Sequence, residues 1–198
     1  VEVQQLGPEM KDKSLTRLNR RIHLQLAEAV INYEADHRHA QKVIEVLGGK
    51  GDRELRVPIV SEDIKRRDER RPMTDPRAIT KYRSIVARFS YMAADRTDLA
   101  FTAKEAAQRM QDPEEEDFGI LHRATMYIRH KTELSQVIKI ERKHNNIDAF
   151  ADSDSGGDHR TRRSTSGGVL MMRGRLIKAW SCTQKHVALS RAEAELYA

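Results

Sequence analysis

Two carboxylates in the last quarter of the chain have the residue type and the spacing that metal chemistry requires. Asp152 and Asp154 stand two positions apart at the end of an alternating segment, just before Gly156 and Gly157. Side chains two apart on a strand project to the same face, where their oxygens could bind Mg²⁺. A polar strand end that runs into a turn has the same pattern, so the pair alone does not select a reaction.

Glu193 is the second candidate ligand. It follows Ser190 by three positions, which is the spacing of a capping box at a helix N-terminus, and that role alone explains a glutamate there. Glu193 could bind a metal together with Asp152 only if the intervening strands bring the start of this helix beside Asp152.

A basic segment over residues 160–167, here called the basic loop, could contact a phosphate backbone. Its cations and hydroxyls suit phosphate oxygens, and they are Arg160, Arg162, Arg163, Ser164, Thr165 and Ser166. A solvated loop has the same composition. The chain carries 36 Lys and Arg against 30 Asp and Glu, and its net charge of +6 favours polyanionic partners without selecting one.

The histidines, the early glycines and the cysteine give weaker signals. No Cys or second His pair at zinc-finger spacing accompanies His23, His37 and His39, so we interpret them as helix-surface residues. Residues 48–52 lack the spacing of a phosphate-binding loop and are interpreted as a turn. The chain has a single cysteine, Cys182, so it cannot form an internal disulfide, and this favours a reducing compartment. Cys182 itself is predicted to be buried.

Length and composition indicate a foldable chain of one or two domains. Of its 198 residues 38% are hydrophobic, enough for a modest core, and their periodicity argues against disorder. No stretch approaches the ~18 apolar residues of a membrane span. The chain begins at Val1 without an initiator Met or a signal sequence, which is typical of an excised piece.

The first 75 residues predict few regular elements. Ile22, Leu24 and Leu26 alternate as in a short strand, while residues 1–20 receive no assignment. A helix is predicted over 37–47, with Asp36 as its cap. Residues 48–75 are rich in Gly, Pro and charge, which predicts an exposed connection and a domain boundary.

Helices and then strands are predicted after residue 75. Asp75-Pro76 starts a first helix, a second begins at Asp95 or Asp98, and a third follows residues 112–115. Together they predict a compact antiparallel bundle. The apolar stripes consist of Ile79, Tyr82, Val86, Phe89 and Ala93, then Leu99, Ala103, Ala106, Ala107 and Met110, then Phe118, Leu121, Thr125 and Ile128.

The spacing of the apolar residues then changes to that of strands, which are predicted over 147–153, 166–172 and 175–181. They predict a three-stranded antiparallel meander, which a helix beginning at Ser190 follows. The predicted fold class is therefore α+β. Its predicted domains are 1–75, 76–145 and 146–198.

Several ordered segments resemble the pol polyprotein of copia-type LTR retrotransposons. Residues 33–40 (YEADHRHA) resemble the segment after the reverse-transcriptase palm. Three further segments, 81–86 (KYRSIV), 91–93 (YMA) and 96–101 (RTDLAF), are similar to the thumb and connection helices. The strongest similarity lies in ADSD at 151–154, RSTSG at 163–167, Trp180-Ser181, Gln184, VALS at 187–190 and EAE at 193–195.

The resemblance implies that residues from about 147 onward are the first half of a ribonuclease H domain. Asp152 and Glu193 would then be catalytic carboxylates that bind Mg²⁺, or Mn²⁺ in its place, for hydrolysis of the RNA strand of an RNA–DNA hybrid. Asp154 matches a family position but is a weaker candidate. Residues 163–167 would face the substrate or brace the first hairpin, and Arg162, Arg163 and Ser164 are the predicted nucleic-acid contacts.

The chain also departs from the family pattern. Ser155 stands where the family usually has Trp, Thr97 replaces a Pro, and Gly168 replaces an aromatic residue. The Tyr-x-Asp-Asp turn of the polymerase does not occur in the sequence, and the third ribonuclease carboxylate is expected beyond Ala198. Neither active site is therefore complete in these 198 residues.

Two alternatives to a ribonuclease fragment stay open. One is a noncatalytic nucleic-acid-binding remnant. The other is a metal-dependent sugar transferase built on Asp152 and Asp154, which no nucleotide-binding pattern supports. The expected partners are an RNA–DNA hybrid or other nucleic acid and the rest of the polyprotein, with no membrane. The expected location is intracellular, in a cytoplasmic virus-like particle or the nucleus.

Overall fold

A computed structural model describes residues 14–25, 27–48, 54–60, 71–139, 146–158, 161–172 and 174–198. Its contacts divide the chain into two units, Val1–Ile138 and Lys139–Ala198. Both contain strands, and the first also contains most of the helices, so the fold class is α+β as predicted. Among the described residues, no helix is both long and apolar enough to span a membrane.

The first unit opens with an antiparallel sheet. Strands β1 (Ser14–Arg17), β2 (Arg20–Gln25) and β3 (Val30–Glu34) pair in sequence order, and β4 (Ser135–Lys139) lies next to β3. The strand predicted from Ile22 and Leu24 is confirmed, and Leu26 lies outside the described residues. The tight β1–β2 turn places Leu18 and Asn19 at positive φ, of 51° and 61°, which a two-residue hairpin requires.

Helix α1 (Arg38–Leu47) follows and confirms the predicted helix, but its first turn differs from the prediction. His37 occupies the N-cap position, while the Asp36 carboxylate accepts the backbone N–H of Arg38 at 3.0 Å. The Arg38 guanidinium also binds this carboxylate, and its hydrogen bonds hold the pKa of Asp36 below the usual value. The helix ends at Gly48, whose φ of +57° is suited to glycine.

The three predicted helices are present as α2 (Pro76–Ala93), α3 (Ala100–Ala107) and α4 (Phe118–Arg129). Asp75 caps α2 by accepting the Arg77 N–H at 3.0 Å, as its sequence predicts. The second helix begins later than expected, because a 3₁₀ turn over Thr97–Leu99 precedes it. A second 3₁₀ turn, Glu115–Asp117, leads into α4.

Helices α1 to α4 share one apolar core. The predicted stripes supply much of it, and its most buried large side chains include Val43, Tyr82, Val86, Phe89, Leu99, Leu121 and Ile128. The Tyr82 hydroxyl donates to the Ala106 carbonyl at 2.9 Å, which satisfies its polar atom inside the core.

Part of the segment predicted as an exposed connection belongs to this core. Met73 is buried in the apolar cluster, and its N–H donates to the Pro113 carbonyl at 3.0 Å. Leu55 packs against the same cluster. The boundary expected near residue 75 falls inside the first unit. The assignment of the predicted domains to parts of a polyprotein stays a prediction.

A buried guanidinium connects the helices of the first unit. Arg96 donates to both oxygens of Asp98, at 2.9 and 2.7 Å, and to the Lys131 carbonyl at 2.7 Å. The Tyr127 hydroxyl donates to the same carboxylate at 2.8 Å. Burial raises the pKa of Asp98, but the bonds from Arg96 and Tyr127 outweigh burial and hold it below the usual value.

The second unit contains the predicted meander. Strands β5 (Ile147–Ser153), β6 (Thr165–Met172) and β7 (Arg175–Thr183) are antiparallel in that order, and α5 (Arg191–Leu196) follows. Gly168 lies directly opposite Trp180, and a Cβ at Gly168 would overlap the indole ring. The glycine that departs from the family pattern therefore leaves room for the tryptophan of the next strand.

The predicted burial of Cys182 is wrong. Its thiol is exposed on β7, although small residues of this type are more often buried.

We expect the first unit to lose stability in alkali. Burial, together with the hydrogen bond to Asp98, raises the pKa of Tyr127 to about 12. Burial and the hydrogen bond to Asp95 raise the pKa of Tyr33 to about 12 as well. A tyrosine whose pKa is raised on folding stabilises the folded protein at pH values below its usual pKa of 10.0. That stabilisation is lost as the pH rises through the pKa of the folded state. Denaturant unfolding should therefore show a free energy that falls between about pH 10 and 12.

The double variant Tyr33→Phe with Tyr127→Phe should flatten this dependence. Tyr91→Phe, which removes a hydroxyl from an exposed ring, is the matched control and should leave it in place. An unchanged pH dependence in the double variant would show that these two hydroxyls do not cause it.

Candidate functional site

Asp152 lies next to the end of β5 with its side chain exposed. Side chains alternate along a strand, so Asp152 and its buried neighbour Ser153 project to opposite faces. Ser153 lies directly opposite Ser166 of β6, and these two hydroxyls share a face. The Asp152 carboxylate can therefore approach groups on that face only around the end of the strand.

Asp154 has a structural role at the neck of the following loop. One of its carboxylate oxygens accepts two backbone N–H groups, from Gly157 at 3.0 Å and from Thr165 at 2.8 Å. The Asp154 N–H donates in turn to the Thr165 carbonyl at 3.1 Å. A side chain at Gly157 would overlap this carboxylate. One oxygen of Asp154 is therefore bonded to the backbone of the loop, and its weaker candidacy as a metal ligand stays a prediction.

The described part of the basic loop has a buried base and an exposed tip. The Ser164 side chain is only 1% exposed and its hydroxyl accepts the Gly156 N–H at 3.0 Å, so it braces the hairpin. Arg162 and Arg163 are exposed, and Arg162 has a φ of +59°. The loop closes through backbone bonds from Arg162 to Asp158 and from Asp158 to Arg163. The two guanidinium groups thus remain at the surface, while Arg160 lies outside the described residues.

Glu193 sits in the first turn of α5, where it completes the helix cap. The Ser190 hydroxyl accepts the Glu193 N–H at 3.1 Å, as the capping-box spacing predicts. The Glu193 carboxylate accepts the N–H of Leu189 at 2.7 Å and the Tyr197 hydroxyl at 3.4 Å. Helix α5 contacts β5, the strand that carries Asp152. The shared metal site of Asp152 and Glu193 stays a prediction.

Gln184 is a residue whose role the sequence did not indicate. Its side-chain nitrogen donates to the Ser166 hydroxyl at 3.0 Å and to the Ala194 carbonyl at 2.8 Å. Its backbone N–H donates to the Ser164 carbonyl at 2.8 Å. Gln184 therefore connects β6, the base of the basic loop and α5. A lone glutamine after a strand has no spacing signal, so only its place in the resembling segment singled it out.

The described histidines do not belong to a cluster of metal-binding side chains. Across the described ranges, no group of three or more His, Cys, Asp or Glu side chains is arranged to hold an ion. His39 stacks on Tyr91 with ring centroids 4.3 Å apart, and burial lowers its pKa. His39 is half-buried on α1. The expectation of a helix-surface residue is wrong for His23, which lies on strand β2.

Comparison with known proteins gives one informative likeness. The chain is 34% identical, over 118 residues, to the uncharacterized mitochondrial protein AtMg00810 of Arabidopsis thaliana. The matched region is 58% of this chain and 46% of that protein, so the chain spans about half of its length. No protein-family model and no solved structure matches the chain.

The close approach of Gly168 to Trp180 predicts how substitutions at this position change the stability of the second unit. Gly168→Ala should destabilise the second unit by about 1–3 kcal/mol, because the new methyl group overlaps the indole. Gly167→Ala is the matched control, since its Cβ would lie 4.0 Å from the Trp180 carbonyl oxygen. That change should be neutral or stabilise by up to about 1 kcal/mol. Trp180 is the single tryptophan, so its fluorescence follows unfolding of this unit. Equal effects of the two substitutions would contradict the packing described here.

Proposed function

We propose that the chain derives from the pol polyprotein of a copia-type retrotransposon and that residues 146–198 are the N-terminal part of a ribonuclease H-like domain. The observation that carries the proposal is the order of elements in the second unit. A three-stranded meander precedes a helix that contacts β5, with Asp152 beside the end of that strand and Glu193 in the first helical turn. The likeness to AtMg00810 adds a relative but no activity.

The parent domain would hydrolyse the RNA strand of an RNA–DNA hybrid. Asp152 and Glu193 would bind Mg²⁺ or Mn²⁺ through carboxylate oxygens, the donors that these hard cations prefer. When bound, the cation makes water a better nucleophile at neutral pH and offsets charge on the leaving oxygen. Asp152 is exposed but would have to reach Glu193 around the end of β5, and the Glu193 carboxylate would have to release the Leu189 N–H.

Arg162 and Arg163, at the exposed tip of the basic loop, would bind the phosphates. The last 60 residues contain eleven Lys and Arg against seven Asp and Glu, so most of the net charge of +6 lies in this unit. Ser164 would support these cations through its bond to Gly156 and would not itself contact nucleic acid. The proposed partners are an RNA–DNA hybrid and the rest of the polyprotein, in a virus-like particle or the nucleus.

A noncatalytic nucleic-acid-binding remnant is the second candidate. The observation that favours it is the capping role of Glu193, whose carboxylate is already occupied by Leu189 and Tyr197. In this case the arginines would still bind phosphates, while the carboxylates would no longer act.

We expect the 198-residue chain not to cleave RNA at a useful rate, because two carboxylates cannot fix two metal ions in the geometry of in-line hydrolysis. A longer chain that adds the rest of the domain should cleave an RNA–DNA hybrid in the presence of Mg²⁺. In that longer chain, Asp152→Asn should lower the rate on the order of 100-fold, the scale for loss of one electrostatic catalytic group.

Asp148→Asn is the matched control for this assay. Asp148 lies on the same strand and, four positions away, on the same face as Asp152, and its side chain is also exposed. Its substitution should leave the rate unchanged. Robust cleavage by the 198-residue chain would show that the catalytic set is misassigned, and an inactive longer chain would favour the noncatalytic remnant.

Binding of a hybrid duplex should be electrostatic and independent of sequence. The candidate contacts are guanidinium groups, so log affinity should fall linearly with log salt concentration. Arg162→Glu with Arg163→Glu should weaken binding to all sequences alike and reduce that slope by about two. Lys178→Glu with Arg191→Glu changes the charge equally at exposed positions outside the loop and should have a smaller effect. A flat salt dependence of the unsubstituted chain would refute the electrostatic account.

A further inference from the structure

We propose that Gln184 is the positioning residue that holds α5, and with it Glu193, in a fixed place on the meander. The inference rests on the proposed function in one respect, which is the role of Glu193 as a metal-binding carboxylate. The docking of the helix rests on the geometry alone.

Helix α5 lacks the apolar contact that usually docks a helix. It spans six residues, and a helix this short is unstable by itself in water. Ala194 is its only buried residue, whereas Leu196 is 82% exposed and the next residue, Tyr197, is 51% exposed. Burial of one methyl group contributes too little to hold the helix in place. Polar contacts must therefore supply much of the docking.

The Gln184 amide supplies those contacts from a buried position. Its side chain is 7% exposed, and both hydrogens of the side-chain nitrogen are used, one by Ser166 and one by the Ala194 carbonyl. The Ala194 carbonyl lies in the last turn of the helix, where it also accepts the Tyr197 N–H at 3.2 Å, so Gln184 is its second donor. Loss of the Gln184 amide would remove the bonds to Ala194 and Ser166 together, each of which typically contributes about 0.5–1.5 kcal/mol.

The surroundings also fix the orientation of the amide. A carbonyl can only accept a hydrogen bond, so the atom that faces Ala194 must be the nitrogen. The opposite orientation would place two acceptors against each other. The Gln184 oxygen has no hydrogen-bond partner among the described residues, so the two bonds of the nitrogen are the ones that distinguish the two orientations.

This amide connects the two strands of the candidate site to its helix. Ser166, which accepts from Gln184, lies opposite Ser153, and Ser153 directly follows Asp152. The same hydroxyl of Ser166 lies 3.4 Å from the Tyr197 carbonyl just after the helix. Gln184 thus sets the distance between the backbone that carries Asp152 and the backbone that carries Glu193.

Hydrogen exchange of the full 198-residue chain tests this role. The measured quantity is the protection of the Ala194 and Tyr197 amides, which donate within α5, relative to amides of β6. Gln184→Met keeps the side-chain length but has no donor, so protection in α5 should fall about tenfold or more while β6 changes less. Lys185→Met alters the adjacent exposed residue and should have no effect.

Gln184→Glu separates a hydrogen-bonding role from a space-filling one. A protonated carboxyl group can donate one hydrogen bond, whereas an ionised one only accepts. Protection of α5 in this variant should be close to that of the unsubstituted chain at about pH 5 and should be lost by about pH 8. The unsubstituted chain should show no such change once intrinsic exchange rates are corrected for pH.

Unchanged α5 protection in Gln184→Met, or a pH-independent Gln184→Glu, would overturn the proposal. If Gln184→Met unfolds the whole unit, the comparison of Gln184→Glu at the two pH values still decides. Failure of the proposed function has a different signature, because the longer chain would then fail to cleave RNA while the exchange results stayed the same.

Discussion

The buried amide of Gln184 is the interaction on which the candidate site depends. It joins a strand, the base of the basic loop and a helix of six residues that buries only one of its side chains. Hydrophobic burial is too small to fix α5, so a directional bond to a helix carbonyl takes its place. The position of Glu193 thus follows from a residue nine positions earlier in the chain, and not from packing of the helix itself.

The first unit is stabilised in a different way. Its helices share an apolar core, and the buried guanidinium of Arg96 connects the 3₁₀ turn before α3 to the backbone just after α4 by binding Asp98 and the Lys131 carbonyl. A buried charge is tolerated when its partners satisfy it, and here a bidentate carboxylate and a carbonyl do so.

The sequence predicted the elements well because their signals are local. The cap at Asp75 and the apolar stripe of α2 each lie within a few residues, and the structure confirms them. Strand β5 is also present as predicted, although only its last residue is buried. The burial of Met73 and the role of Gln184 depend on partners far away in the chain, for which the sequence has no periodic signal. Glu193 shows the limit most clearly, since its spacing from Ser190 predicts a cap while the family resemblance implies a metal ligand, and the structure describes the cap.

The central claim is that Asp152 and Glu193 bind one metal ion, and anomalous diffraction from crystals of the chain grown with Mn²⁺ tests it most directly. Mn²⁺ takes the same oxygen ligands as Mg²⁺ and can be located by its anomalous scattering. The account predicts a peak bonded to a carboxylate oxygen of each residue, with Glu193 released from the Leu189 N–H. Mn²⁺ bound elsewhere or not at all, with Glu193 still accepting that N–H, would contradict it.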